Sequence, residues 1–183
     1  MTLIVIIKIL AIIILLLLSA LSSGSETALT AVSKQRAHRQ KDKGAKNANF
    51  ILKIKEFKDE FITGILLANN LFNILATALM TELLVSEFGG LGVSVATIFM
   101  TLMIVIFSEV TPKIFAINKP MTFALKVSKF FYFYTKLIKP IVNLINKVSN
   151  KIIKLIGLNL NADQSKIIEE EFEGAVQLQK QYS

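Results

Sequence analysis

Oxygen-bearing side chains interrupt the apolar runs of this 183-residue chain at three places. Ser19, Ser22, Ser23, Ser25 and Glu26 close the first run. Asn69, Asn70 and Asn73 sit inside the second, in "LLANNLFNIL". Glu109 ends the third, in "FSEVTPKIF". Polar groups inside apolar spans are costly, so they face protein, water or a ligand. Ser19 and Ser23 are four apart and share a helix face, and so do Asn69 and Asn73; Asn70 and Asn73 are three apart. Pro112, three residues after Glu109, has no N–H and frees a carbonyl one turn back. Freed carbonyls lining a cavity are a recurrent cation device at broken helices. Hydroxyls, amide oxygens, one carboxylate and free carbonyls form a hard-oxygen set suited to Mg²⁺ or Ca²⁺ rather than Zn²⁺ or Cu.

Blander roles compete for each cluster. Serines bond back to their own helix carbonyls or help helices pack. Asparagines form hydrogen bonds between helices, worth roughly 1 kcal/mol. Glu109 could pair with Lys113, one turn on.

The elements that must hold these residues are membrane helices. The chain is 53% hydrophobic, with a mean hydropathy of +0.58; soluble domains average about 45–50% apolar. The apolar residues are blocked into runs, with spans expected at about 2–25, 61–85 and 91–111. Each is near the ~20 residues that cross a bilayer as helix. The fold class is therefore an all-α membrane protein with three spans and juxtamembrane amphipathic helices. Helices rise ~1.5 Å per residue, which puts Asn69 and Asn73 ~12–18 Å in from Phe61, where they could meet Ser23 and Glu109.

Charge sets the expected topology. Residues 31–60, expected to be a basic helical segment, carry nine Lys/Arg against four acids, whereas 61–112 carry neither Lys nor Arg. By the positive-inside rule, 31–60 and everything after 112 are cytoplasmic, with the N-terminus and the 86–91 loop outside. Residues 120–157 are expected to form juxtamembrane helices, with Pro120 and Pro140 marking starts or breaks and Gly157 an end. Over 143–154 the polar residues gather on one helical face, which predicts an interfacial helix. Residues 158–183 turn acidic, in "IIEEEFEG".

Several classes are set aside. There is no Cys and one His, which argues against disulfides and a zinc site. The net charge of +8 flanks apolar segments, which fits anionic lipid headgroups rather than nucleic acid. "LLLLSALSSGS" has the look of a signal-peptide end, but the start lacks a basic cluster and nine bases follow the run. Nucleophile–base pairs, phosphate loops and metal-protease helices do not appear in the sequence, so an enzyme is not expected.

Taken together, "SALSSGSETALTAVSKQR", "ILLANNLFNILATAL" and "FSEVTPKIFA" resemble the three signatures of the transmembrane domain of the CNNM/CorC magnesium transporters, in order and spacing. The resemblance covers about residues 3–157. It implies a homodimer of the inner or plasma membrane that moves Mg²⁺ outward in exchange for Na⁺. By motif, its Mg²⁺ ligands would be Ser19, Ser23, Asn70 or Asn73 in preference to Asn69, Glu109, and the carbonyl of Phe115. Ser108, Ala68 and Ser22 depart from the family's usual residues. Family members continue into cytosolic CBS domains, so 158–183 reads as the start of a missing or truncated cytosolic region. A non-transporting sensor, or a modulator of another carrier, is the alternative.

Overall fold

The computed structural model describes residues 2–156, and every element among them is helical. The expected acidic tail and the helix end at Gly157 lie outside the described residues. Three helical stretches are long and apolar enough to cross a membrane: Leu3–Ala31, Lys58–Phe88 and Leu91–Asn118. The chain is a multi-pass all-α membrane protein.

The first spanning helix, α1 (Thr2–Ala31), runs on past Gly24 without a break. Ser22, Ser25, Thr27 and Thr30 each donate a hydroxyl proton to the carbonyl four residues back. Those bonds hide polar hydrogen inside the helix, which lets a serine-rich end stay helical. Ser33 then caps α2 (Lys34–Asp42) by accepting the Arg36 N–H at 3.3 Å. A turn with Gly44 at φ 74° and Asn47 at φ 69° leads into α3 (Ala48–Glu56).

Helix α4 (Lys58–Phe88) carries Asp59 and Glu60 in its first turn, where acids complement the helix dipole. Gly89, at φ 60°, turns the chain into α5 (Leu91–Met103). The turn is tight: a Cβ on Gly92 would lie 2.3 Å from the Leu84 carbonyl oxygen. The third span is not a continuous α-helix. Residues Ile104–Val110 form a π segment, followed by α6 (Thr111–Asn118). Pro112 supplies no N–H to the turn before it, and the Thr111 N–H reaches back five residues to the Ile106 carbonyl.

Helix α7 (Pro120–Leu155) starts on Pro120, as the sequence suggests, but passes through Pro140 instead of breaking there. The carbonyl deprived of its donor belongs to Lys136, on an exposed turn where other donors can reach it. Residues up to Val142 belong to one compact unit, and residues from Asn143 to a second. Within the second, Leu144, Val148, Ile152 and Leu155 form an exposed apolar stripe that runs beside Lys147, Lys151 and Lys154.

In the first unit the buried residues fall into layers. Ile12, Leu16, Ala76 and Met100 form one apolar cluster among α1, α4 and α5. Leu29, Val32, Ile51, Ile54, Phe61, Ile65 and Phe131 anchor a larger one among α1, α3, α4 and α7. Along α1 and α4, the stretch between the two clusters is polar.

Candidate metal site

Four side chains from three elements define that polar layer. Ser19 and Ser23 of α1 are fully buried, as is Ser108 of the π segment, and Asn69 of α4 is 9% exposed. Two apolar clusters fix the rotation of α1 against α4, and the four-residue spacing of Ser19 with Ser23 and of Asn69 with Asn73 puts each pair on the facing sides.

The geometry is built around Ser19. Its Oγ lies 2.5 Å from Oδ1 of Asn69 and 2.6 Å from Oδ1 of Asn73. A hydroxyl has one proton, so it can donate to only one of the two amide oxygens at a time. Ser23, one turn on, has a buried Oγ with no hydrogen-bond partner among the described residues. An unsatisfied buried hydroxyl costs about 1–3 kcal/mol. Ser22 and Ser25, whose protons are taken by Leu18 and Leu21, shape the helix and leave the lining to Ser19 and Ser23.

The π segment closes the layer from the third span. Ser108 donates to the Leu16 carbonyl at 3.1 Å, which ties the segment to α1. Glu109, next in the chain, is half-buried and has neither an ion pair nor a hydrogen bond among the described residues. The pairing with Lys113 that spacing allowed is not formed. Gly24 permits a close approach here: a Cβ at that position would lie 3.3 Å from the Pro112 carbonyl oxygen and 2.8 Å from the Phe123 ring.

Two of the residues singled out by sequence sit elsewhere. Asn70 is exposed, about 100° round the helix from Asn69. Asn69, passed over in the sequence reading, occupies the buried position instead. Phe115 has an exposed side chain, and its carbonyl accepts the Lys119 N–H at 3.2 Å as α6 ends. The carbonyl that approaches α1 is that of Pro112. In the sequence Ser108 stands out only as a departure from the family's usual residue, and its bond to Leu16 cannot be read there. Four-residue spacing was the signal that could have picked Asn69.

Chemically the layer offers hydroxyl and amide oxygens, and Glu109, a carboxylate, follows Ser108 in the chain. No group of three His, Cys, Asp or Glu side chains that could hold a metal occurs among the described residues. A cation held by the hydroxyl and amide oxygens would meet neutral donors. Such donors suit hard cations.

Comparison with known proteins agrees with the motif resemblance. The profile of the cyclin M transmembrane N-terminal domain family, CNNM, matches residues 10–182. A UPF0053 protein of Haemophilus influenzae is 33% identical over 152 residues, covering 83% of this chain and 36% of the relative. The UPF0053 inner membrane protein YfjD of Escherichia coli is 31% identical over 134 residues, covering 73% and 31%. A putative DUF21 domain-containing chloroplast protein of Arabidopsis thaliana is 31% identical over 134 residues, covering 73% and 20%. The chain thus spans about a third or less of the length of these relatives.

Proposed function

The chain belongs to the CNNM family of cyclin M transmembrane N-terminal domains, and from that premise we propose that it carries Mg²⁺ across the membrane. The observation that carries the reading is the convergence of the Asn69 and Asn73 amide oxygens on the Ser19 hydroxyl. Three oxygens share one proton there, an excess of lone pairs that a cation would relieve. Ser23 adds a buried oxygen with no other partner among the described residues. We assign Ser19, Ser23, Asn69 and Asn73 as the oxygen lining and Glu109 as the charge that balances a divalent ion. A dehydrated Mg²⁺ demands near-octahedral oxygen ligands, so small displacements of these groups should matter.

The finer points belong to the same proposal. Efflux in exchange for Na⁺, a homodimer and an inner- or plasma-membrane location follow from the family resemblance. The inner-membrane designation of the E. coli relative supports the location. The basic α2–α3 segment and the lysines of α7 support a cytoplasmic face at that end, with the N-terminus outside.

Reconstitution in liposomes with an entrapped Mg²⁺ indicator tests the reading. Wild type should pass Mg²⁺, and Asn73→Ala and Glu109→Gln should each lower the flux by at least about tenfold, as loss of a metal-site group does. Unchanged flux in both variants would sink the site. Mg²⁺-dependent thermal stabilisation without any flux would instead favour the sensor.

A further inference from the structure

Helix α7 carries seven lysines and no acidic residue. Of these seven lysines, Lys139 alone has an acidic neighbour among the described residues, Glu60 at 3.8 Å. Lys126 and Lys129 lie three residues apart, both exposed and without an acidic partner among the described residues. They stand at a groove of about 600 Å³ whose other lining includes Phe130, Phe133 and Leu137. Those three apolar side chains are 59%, 54% and 79% exposed.

The polar side of the groove is braced. Asn47, also in its lining, holds a left-handed backbone at φ 69°. Its amide nitrogen donates to the Leu125 carbonyl at 3.0 Å, and its own carbonyl accepts the Ser128 hydroxyl at 3.2 Å. The loop between α2 and α3 is thereby fixed against α7 beside the two lysines. Two adjacent cations beside an exposed apolar wall make a shape with two demands. The occupant must bring negative charge at one part and a hydrocarbon surface at another.

We propose that this groove binds an anionic phospholipid, its phosphate at Lys126 and Lys129 and an acyl chain along Phe130, Phe133 and Leu137. A zwitterionic lipid meets the same wall but brings its own cation toward the two ammonium groups. Inorganic phosphate satisfies the lysines and leaves the wall bare. Charge complementarity therefore selects a lipid with net negative charge, independently of what the spanning helices transport.

Native mass spectrometry of the full chain in mild detergent tests this, with phosphatidylglycerol and phosphatidylcholine as the titrated lipids. Wild type should retain phosphatidylglycerol at least about tenfold more tightly than phosphatidylcholine. Lys126→Gln with Lys129→Gln should erase that preference, while Lys147→Gln with Lys151→Gln should leave it. Leu137→Asn, an exposed change that spares the charges, should weaken both lipids alike. Equal retention of the two lipids by wild type would overturn the proposal. An equal loss in the Lys147/Lys151 variant would show diffuse attraction and overturn it too. Displacement of phosphatidylglycerol by millimolar inorganic phosphate would make the groove a phosphate site instead.

Discussion

Ser19 Oγ lies 2.5 Å from Oδ1 of Asn69, joining two spanning helices through side chains fifty residues apart. Both groups are buried away from water, and the Ser19 proton can go to Asn69 or to Asn73 but not to both at once. Asn69→Ala should therefore lower thermal stability in detergent by about 1–2 kcal/mol and weaken stabilisation by added Mg²⁺. Asn70→Ala, on the exposed face, should stay within about 0.5 kcal/mol and leave the Mg²⁺ response intact. Melting curves with and without Mg²⁺ separate the two. A larger Mg²⁺ effect at Asn70 would reverse the assignment.

Ser23 makes a sharper case, because its buried hydroxyl has no partner among the described residues. Removing an unsatisfied buried polar group relieves its desolvation penalty. Ser23→Ala should hold or raise stability by up to about 1–2 kcal/mol without Mg²⁺, and reduce the further gain when Mg²⁺ is added. A variant destabilised in both conditions would mean that the hydroxyl serves packing alone.

The sequence made part of this site legible. Apolar runs and base asymmetry located the spans, and four-residue spacing paired Ser19 with Ser23. The same rule fits Asn69 with Asn73, yet choosing between Asn69 and Asn70 needs the rotation of α4 against α1. That rotation is set by contacts such as Ile12 and Leu16 with Ala76, far from the asparagines in sequence. Pro112 signalled a disturbed helix but not its form. A slip to five-residue bonding, and the turn of the Pro112 carbonyl rather than that of Phe115 toward α1, depend on how the third span packs. Pro140 misled for the opposite reason: a helix tolerates a proline when the freed carbonyl faces outward.

Gly92 and Gly24 should answer alanine differently. At Gly92 the added Cβ would meet the Leu84 carbonyl oxygen at 2.3 Å, and backbone there cannot yield cheaply. Gly92→Ala should cost about 1–3 kcal/mol, measured by thermal unfolding. At Gly24 the closest atom is the Phe123 ring, which can rotate, with the Pro112 carbonyl at 3.3 Å. Gly24→Ala should cost less stability than Gly92→Ala while impairing the Mg²⁺ response through the displaced carbonyl. The reverse order in melting temperature would contradict the packing described.

Lys55 gives a pH signature outside the spans. Burial lowers its pKa below the ordinary 10.5, helped by Lys58 and Lys34. Between the lowered value and 10.5 the unfolded chain binds more protons than the folded one. Stability should therefore rise with pH across that window and be insensitive to Lys55 below it. Lys55→Met should flatten the rise, which melts from neutral pH to above 10 would reveal. The variant also loses the 3.3 Å bond from the Lys55 ammonium to the Thr30 carbonyl, so its slope with pH, not its absolute stability, is the test.

At the other end of the bundle, Lys8 of α1 and Glu82 of α4 form a 2.7 Å ion pair. Lys8 sits between apolar neighbours, ~16 Å along α1 from Ser19. Surface around a spanning helix faces lipid or headgroups rather than bulk water, so an unpaired charge there is expensive. Lys8→Gln or Glu82→Gln alone should each destabilise by about 1–3 kcal/mol, because the remaining charge loses its partner. The double change Lys8→Gln with Glu82→Gln should recover most of that loss, since neither charge is then stranded. A double-mutant cycle in lipid nanodiscs measures the coupling directly. Additive losses would show that the pair is a surface contact with no hold on α1 and α4.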